Sequence, residues 1–386
     1  MKYKPTTLPD ALQTSVDRAR LTQSHQLSDV IGQIGNMVIR DLRVHPNLML
    51  FSAKDGTKVK PLRLQYFSPS GEQKEEVAIH PHALRQLCSK VSFPAAYLKT
   101  LSTHERGRQL LQTNLNELFD FDTWTTKDER KIKFLHRLVD GELRGFISRR
   151  FNRHLLSKPM LHAFSVACEE VGAVPEAASS NDVRFRVKAA LPWVYEPLKN
   201  LYAMVGVEWS NSDFGAGALE VTTFMRLIPV GYVTFGGFRR VHIGSVTDTT
   251  DEGFEEAQFS EETYQAEVET QSLAIRDAVV AQLKDDRIES LLDSVVEAYD
   301  TRLPWSEVSS RLKTVAGTKA VDTLKAALDD GIEELPSVTK DGNGVPQPTR
   351  FWAMAACSWL AANEQDADKR AALEAVGGSM LMDKAA

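Results

Sequence analysis

The chain has 386 residues, enough for two domains or for one core with appendages. No apolar run reaches the roughly 18 residues that span a bilayer, and the opening MKYKPTTLPDALQTSVDRAR lacks an apolar signal core. A cytoplasmic protein is therefore expected, and a membrane or secreted one is not. The formal net charge of -6 divides unevenly: residues 1–250 carry 33 Lys+Arg against 25 Asp+Glu, and residues 251–386 carry 13 against 27. A basic front and an acidic back suit a chain that holds a polyanion with one part and contacts proteins, or screens itself, with the other. Acidic solvated helices give the same balance without that meaning. Cys88, Cys168 and Cys357 are far apart, odd in number and in apolar helical contexts, as expected of buried reduced thiols.

In chain order, a helix is expected around Leu8–Arg20, then the segment LSDVIGQIGNMVIRDLRV. Short strands are expected from Asn47 to His80, punctuated by turns at Asp55-Gly56 and Pro69–Gly71. HPHALRQLCSKV reads as a helix with Pro81 in its first turn, and two further helices follow, the second capped by Ser102 or Thr103. Residues 131–250 are strand-rich: a hairpin, a helix at Pro159–Val171, the strands DVRFRVKAAL, LYAMVGVEWSN and GALEVTTFMRLIPV, and a Gly-rich basic loop, VTFGGFRRVHIGS. From Ser260 onward the pattern is helical, with Gly317, Gly331 and Gly377 as stops and a polar loop at 336–349. The expected fold class is α+β: an antiparallel sheet with a central β-hairpin and packed helices, followed by an all-helical C-terminal region. The expected divisions are 1–120, a mixed segment packing on the core; 121–250, a β-rich core with a basic sheet face; and 251–386, an acidic helical region.

The hairpin KIKFLHRLVDGELRGFISRRFNRH turns at Asp140-Gly141, where both residues must take positive φ. Counting outward, Leu138 faces Leu143, Arg137 faces Arg144, His136 faces Gly145, Leu135 faces Phe146 and Phe134 faces Ile147. Alternation then puts Leu138, Leu143, His136, Gly145, Phe134 and Ile147 on a core face. Arg137, Arg144, Leu135, Phe146 and Lys133 fall on a mixed basic one. Directly opposed like charges cost up to about 1 kcal/mol, which Glu142, other carboxylates or an anionic ligand would offset.

In DVRFRVKA, Arg184, Arg186 and Lys188 alternate with Val183, Phe185, Val187 and Ala189, so three cations share one strand face. If this strand joins the hairpin's sheet, the basic faces combine. Cations would neutralise phosphates, and Phe146 would be a stacking platform for single-stranded nucleic acid. Arg149, Arg150 and Arg153 follow at the hairpin exit. A second candidate is GGFRRVHIGS, where glycines admit a phosphate to the backbone and Arg239, Arg240 and His242 would pair with it. A Gly-rich surface turn explains the same residues.

The case for an enzyme is thin. His80 and His82 have no partners at metal-ligand spacing, Asp120 and Asp122 are a common pairing, and SNSDFG has no base–nucleophile arrangement. No catalytic residue, metal or cofactor is expected.

The run RLVDGELRGFISRRFNRH, followed by GVEWSNSDFGAGALEVTTFMRLI and FRRVHIGS, resembles the phage/plasmid-like proteins of the domain-of-unknown-function family 932. IHPHALRQLCSKVSFPAAYL is similar to an earlier segment of that family, so the resemblance covers roughly residues 70–250. Where members carry Cys-Thr-Asn-Gly after the strand TTFMRLI, this chain has PVGYVTFGG. The resemblance implies a phage or plasmid protein acting in a bacterial host. Analogy with single-strand annealing proteins implies binding of single-stranded DNA, as a homo-oligomer, in recombination or replication. The acidic helical region would contact host or phage proteins. The alternatives are a host-directed interaction module, for example in counter-defence, and a nucleotide-processing enzyme using Asp120, Asp122, Arg239 and Arg240.

Overall fold

The computed structural model describes residues 2–44, 48–55, 58–68, 70–119, 134–147, 154–242, 260–330, 335–340 and 346–382. Its elements in chain order are α1 (Asp10–Asn36), β1 (Ile39–Val44), β2 (Met49–Asp55), β3 (Lys58–Phe67), β4 (Gln73–Ile79), α2 (Pro81–Lys90), α3 (Ala95–Thr103), α4 (Glu105–Leu118), β5 (Phe134–Val139) and β6 (Glu142–Ile147). There follow α5 (Ser157–Val171), β7 (Val174–Ser180), β8 (Phe185–Ala190), β9 (Tyr195–Leu198), β10 (Leu201–Asn211), β11 (Leu219–Ile228) and β12 (Gly231–Arg240). The last part holds α6 (Glu261–Gln282), α7 (Asp285–Asp300), α8 (Trp305–Asp330), the two-residue strands β13 (Thr339–Lys340) and β14 (Pro346–Gln347), α9 (Arg350–Ala362) and α10 (Ala367–Met382). The fold is α+β, with a helical C-terminal region.

Two six-stranded sheets carry the chain. The first has order β1-β5-β6-β4-β3-β2; β4 and β6 pair in parallel and its other pairs are antiparallel. Helices α2, α3 and α4 cover one face of it, with Leu64, Val77, Leu87, Leu111, Leu115 and Leu143 in the shared core. The second has order β12-β11-β10-β8-β7, with β9 paired to β10. Its central strand, LYAMVGVEWSN, is buried at all eleven positions, because α5, α6 and α7 pack one face while α1 and α10 cover the other.

The hairpin therefore joins the N-terminal strands: β5 pairs with β1, and β6 with β4. The strand carrying Arg184, Arg186 and Lys188 lies in the other sheet. The two basic faces do not combine.

Asp140 and Gly141 turn the hairpin with φ of 51° and 75°, as the Asp-Gly pair requires. Val139 then faces Glu142 and Leu138 faces Leu143. Beyond that the register departs from the simple count. A bulge leaves Arg144 without an opposite residue, so Arg137 faces Gly145, His136 faces Phe146 and Leu135 faces Ile147. One extra residue reverses the face of everything after it. Phe146 thus enters the core against Phe134, Phe119 and His136.

Three other expectations change. VTFGGFRRV is largely strand β12 rather than a loop. Its glycines lie at a β-bulge, and a Cβ on Gly237 would be 2.2 Å from the Val221 carbonyl oxygen. Helix α4 is capped at His104, and Ser102 and Thr103 end α3 instead. Gly317 marks a kink with φ 76°, whereas Gly377 is inside α10, where its bare backbone lets the helix approach Cys357 and Val233. Gly331 and the division expected at 250/251 lie outside the described residues; Ser260 caps α6. All three cysteines are buried free thiols; burial pushes Cys88 up to about 11 and Cys168 and Cys357 up to about 12.

Candidate nucleic-acid interface

Most of the cations expected on a solvated sheet face are already matched by carboxylates. Arg137 is 1% exposed. Its Nε and Nη2 donate to the two carboxylate oxygens of Asp41, 2.8 Å each, and Nη1 donates to the Asp213 carbonyl, 2.7 Å. Asp41 is its partner on the neighbouring strand β1, so the carboxylate that offsets Arg137 comes from the far side of β5. Arg144 pairs with Glu142 at 3.0 Å. Phe146 is 1% exposed and has no open face on which a base would stack. Lys133, Arg149, Arg150 and Arg153 lie outside the described residues.

The alternation expected in β8 holds. Phe185, Val187 and Ala189 enter the core beneath α5, and the cations take the other face. That face is covered by α10. Arg186 donates to Asp368 at 2.6 Å and lies near Glu208. Lys188 donates to Glu374 at 2.5 Å and pairs with Glu208 at 3.3 Å. Arg184 donates to Glu220 at 2.8 Å and to the Ser210 hydroxyl. Lys188 is largely buried, yet these two carboxylates outweigh its desolvation and raise its pKa. Here the acidic C-terminal region acts as counter-charge within the molecule.

One group of cations remains open beside the meeting point of the two sheets. The first sheet's helix α2 meets the second sheet at the turn SNSDFG after β10. His82 Nε2 and Gln86 Nε2 both donate to the Phe214 carbonyl, at 3.1 and 2.8 Å, and Gln86 Oε1 accepts from the Phe146 amide. Asp213 Oδ1 accepts from the Ser157 amide at 2.7 Å, and the Ser212 hydroxyl serves the Phe214 and Ala216 amides. SNSDFG is therefore the joint between the sheets. Burial pushes the Asp213 carboxyl up to about 6 against the pull of Arg137 and the Ser157 bonds. Burial likewise holds the His82 imidazole below its usual value.

Beside this joint lies a cleft of about 590 Å³, walled by the outer stripe of α2, the end of β6, the turn at 215–218 and the end of β12. Among the described residues its charged lining is Arg85, Lys90 and Arg239, with His82 and His242 beside them and no carboxylate. Arg85 and Lys90 are exposed and make no ion pair among the described residues. Arg239 pairs with Glu220 but leaves 65% of its side chain exposed. Arg240 lies 4.0 Å from Glu267, and His242 Nε2 is 2.7 Å from Asn211 Oδ1. The hairpin exit, at Ile147, and the FRRVH segment thus meet at one cleft, although the two strand faces do not meet.

Arg85 and Lys90 were legible only as part of a helix. Ala83, Leu87 and Cys88 form its buried stripe, and 82, 85/86 and 89/90 recur at helical spacing on the opposite side. Asp120 and Asp122 lie outside the described residues, and among the described residues no cluster of three His, Cys, Asp or Glu could hold a metal. His80 instead caps α2, its Nδ1 accepting from the His82 amide. No helix among the described residues is long and apolar enough to cross a membrane. Comparison with known protein families, with curated proteins and with solved structures finds no match.

Proposed function

We propose that the protein binds single-stranded nucleic acid, DNA before RNA, in the cleft between α2 and the end of β12. The observation that carries this is the charge of the lining: among the described residues, three cations and no carboxylate, in a chain of net negative charge. Guanidinium and ammonium groups on one wall suit a phosphate backbone. Gly215, Gly217 and Ala218 form another wall. The role is non-enzymatic, and the resemblance to phage/plasmid-like proteins points to annealing in recombination or replication.

The test is fluorescence anisotropy with a labelled single-stranded oligonucleotide over a salt series. For single strands log K falls against log salt by about 0.7 per phosphate neutralised, so three cleft cations give a slope of about -2. The double reversal Arg85→Glu/Lys90→Glu touches two exposed side chains, so melting should be unchanged while binding is lost. Wild-type affinity in that variant would sink the proposal.

A further inference from the structure

Arg239 lines two spaces. One is the cleft; the other is a separate cavity of about 670 Å³ between the second sheet and α10. That volume is in the range of small-molecule sites, about 300–1,000 Å³. Helix α10 lines it mostly with small residues, Ala371, Ala372, Ala375, Gly378 and Ser379, between Asp368 and Met382. A Cβ on Gly378 would lie 2.0 Å from the Thr234 carbonyl oxygen. Phe235, Phe238 and Met382 make part of the wall apolar.

The polar part of the wall has more donors than acceptors. Its carboxylates are Glu208, Glu220 and Asp368. All three are already engaged, Glu208 by Arg186 and Lys188, Glu220 by Arg184 and Arg239, and Asp368 by Arg186 and Asn181. The guanidiniums are not used up. Arg186 is 6% exposed and its Nη1 has no hydrogen-bond partner, and Arg184 Nε has none either. Arg287, half-buried on the cavity wall, makes no ion pair among the described residues. Burial next to Arg186 also pulls the Arg184 guanidinium below its ordinary pKa, as expected where positive charge is under-compensated. A set of buried donors beside an apolar wall fits an anion carried on a flat apolar body.

We infer that this cavity binds one nucleotide through its phosphomonoester, with the phosphate on Arg287 and Arg239 beside the buried Arg186 guanidinium and the base against Phe238. The same chemistry has two sources, a free nucleoside monophosphate or the phosphorylated end of a strand. The second source rests on the function proposed above, because Arg239 connects the cavity to the cleft.

Calorimetric titration with dAMP, deoxyadenosine and inorganic phosphate tests the site. Anisotropy with 5′-phosphorylated, 3′-phosphorylated and unphosphorylated oligonucleotides distinguishes the sources. The wild-type protein should bind dAMP saturably and about tenfold or more tighter than deoxyadenosine. Arg287→Glu, and Ala375→Trp, which fills the space from an exposed position of α10, should each weaken dAMP by about tenfold or more with unchanged melting. A terminal-phosphate preference that both variants erase identifies the strand end as the source. Binding of dAMP without such a preference identifies the free nucleotide. Inorganic phosphate binding as tightly as dAMP would overturn the inference, as would the absence of both dAMP binding and any terminal-phosphate effect. In the last case, salt-dependent oligonucleotide binding lost in Arg85→Glu/Lys90→Glu would show that the cleft reading survives alone.

Discussion

Arg137 and Asp213 illustrate what burial does to a charge. Arg137 has its guanidinium satisfied on three nitrogens and no contact with water, so it holds β5 to β1 and to the SNSDFG joint. Removing one partner of such a pair costs about 3–5 kcal/mol. Arg137→Ala should lower the urea midpoint accordingly. Asp213 is the opposite case, a carboxyl whose charged form is disfavoured, with Oδ2 lacking a partner. Its folded-state pKa of about 6 is above the unfolded value of 3.8. Its contribution to stability is therefore fully present below pH 3.8 and lost as pH rises through about 6. Asp213→Asn mimics the neutral form and keeps the acceptor for the Ser157 amide. At pH 7–8 the variant should be more stable than wild type by up to about 3 kcal/mol, and the difference should vanish near pH 4. Denaturant melts across that range check it, and a variant less stable at pH 8 would refute it. The buried His136, whose Nδ1 lies 2.8 Å from the Tyr66 hydroxyl, is held down to about pKa 3. It acts oppositely, losing stability as pH falls from 6.5, but it is common to both proteins and cancels in the difference.

At the scale of the element, periodicity was legible and bulges were not. The alternation in DVRFRVKA, the Asp-Gly turn and the bounds of LYAMVGVEWSN all follow from local sterics and pattern, and each stands in the structure. The bulge at Arg144 has no local signal. It arises where Phe146 gains a core of Phe119, Phe134 and His136 at the expense of one ladder pair. The same limit hid β12, whose two glycines read as a loop but allow a close approach to β11. Helix α10 depends on such an approach too. Gly378→Ala would drive a Cβ into the Thr234 carbonyl, and the helix must lift from β12. A loss of about 1–3 kcal/mol is expected, read as a lower thermal midpoint, with Gly378→Leu worse.

Across the whole molecule, the uneven charge of the two halves has an internal use. Asp368 and Glu374 belong to the acidic back, yet they neutralise Arg186 and Lys188 of the basic front. For that reason the reversal Arg184→Glu/Arg186→Glu is not a clean probe of ligand binding. It sets two new carboxylates beside Glu208, Glu220 and Asp368, and it should abolish cooperative folding in a melt rather than selectively weaken DNA. The exposed pair Arg85 and Lys90 is the informative one. The excess positive charge that reaches the surface there is what gives the protein a steep salt dependence, if it binds a polyanion as proposed.

Pattern and turn chemistry by themselves determined the α+β class, the Asp-Gly hairpin, the three-cation face of DVRFRVKA and the helical C-terminal region, because each rests on interactions between residues a few positions apart. Which strands share a sheet, which face meets water and which cation keeps a free donor were decided only by tertiary structure. Those outcomes depend on contacts between distant segments: Arg137 with Asp41, 96 residues away, and Lys188 with Glu374, 186 residues away. A run of basic residues looks the same in sequence whether its counter-charge is a ligand's phosphate or a carboxylate from the far end of the chain.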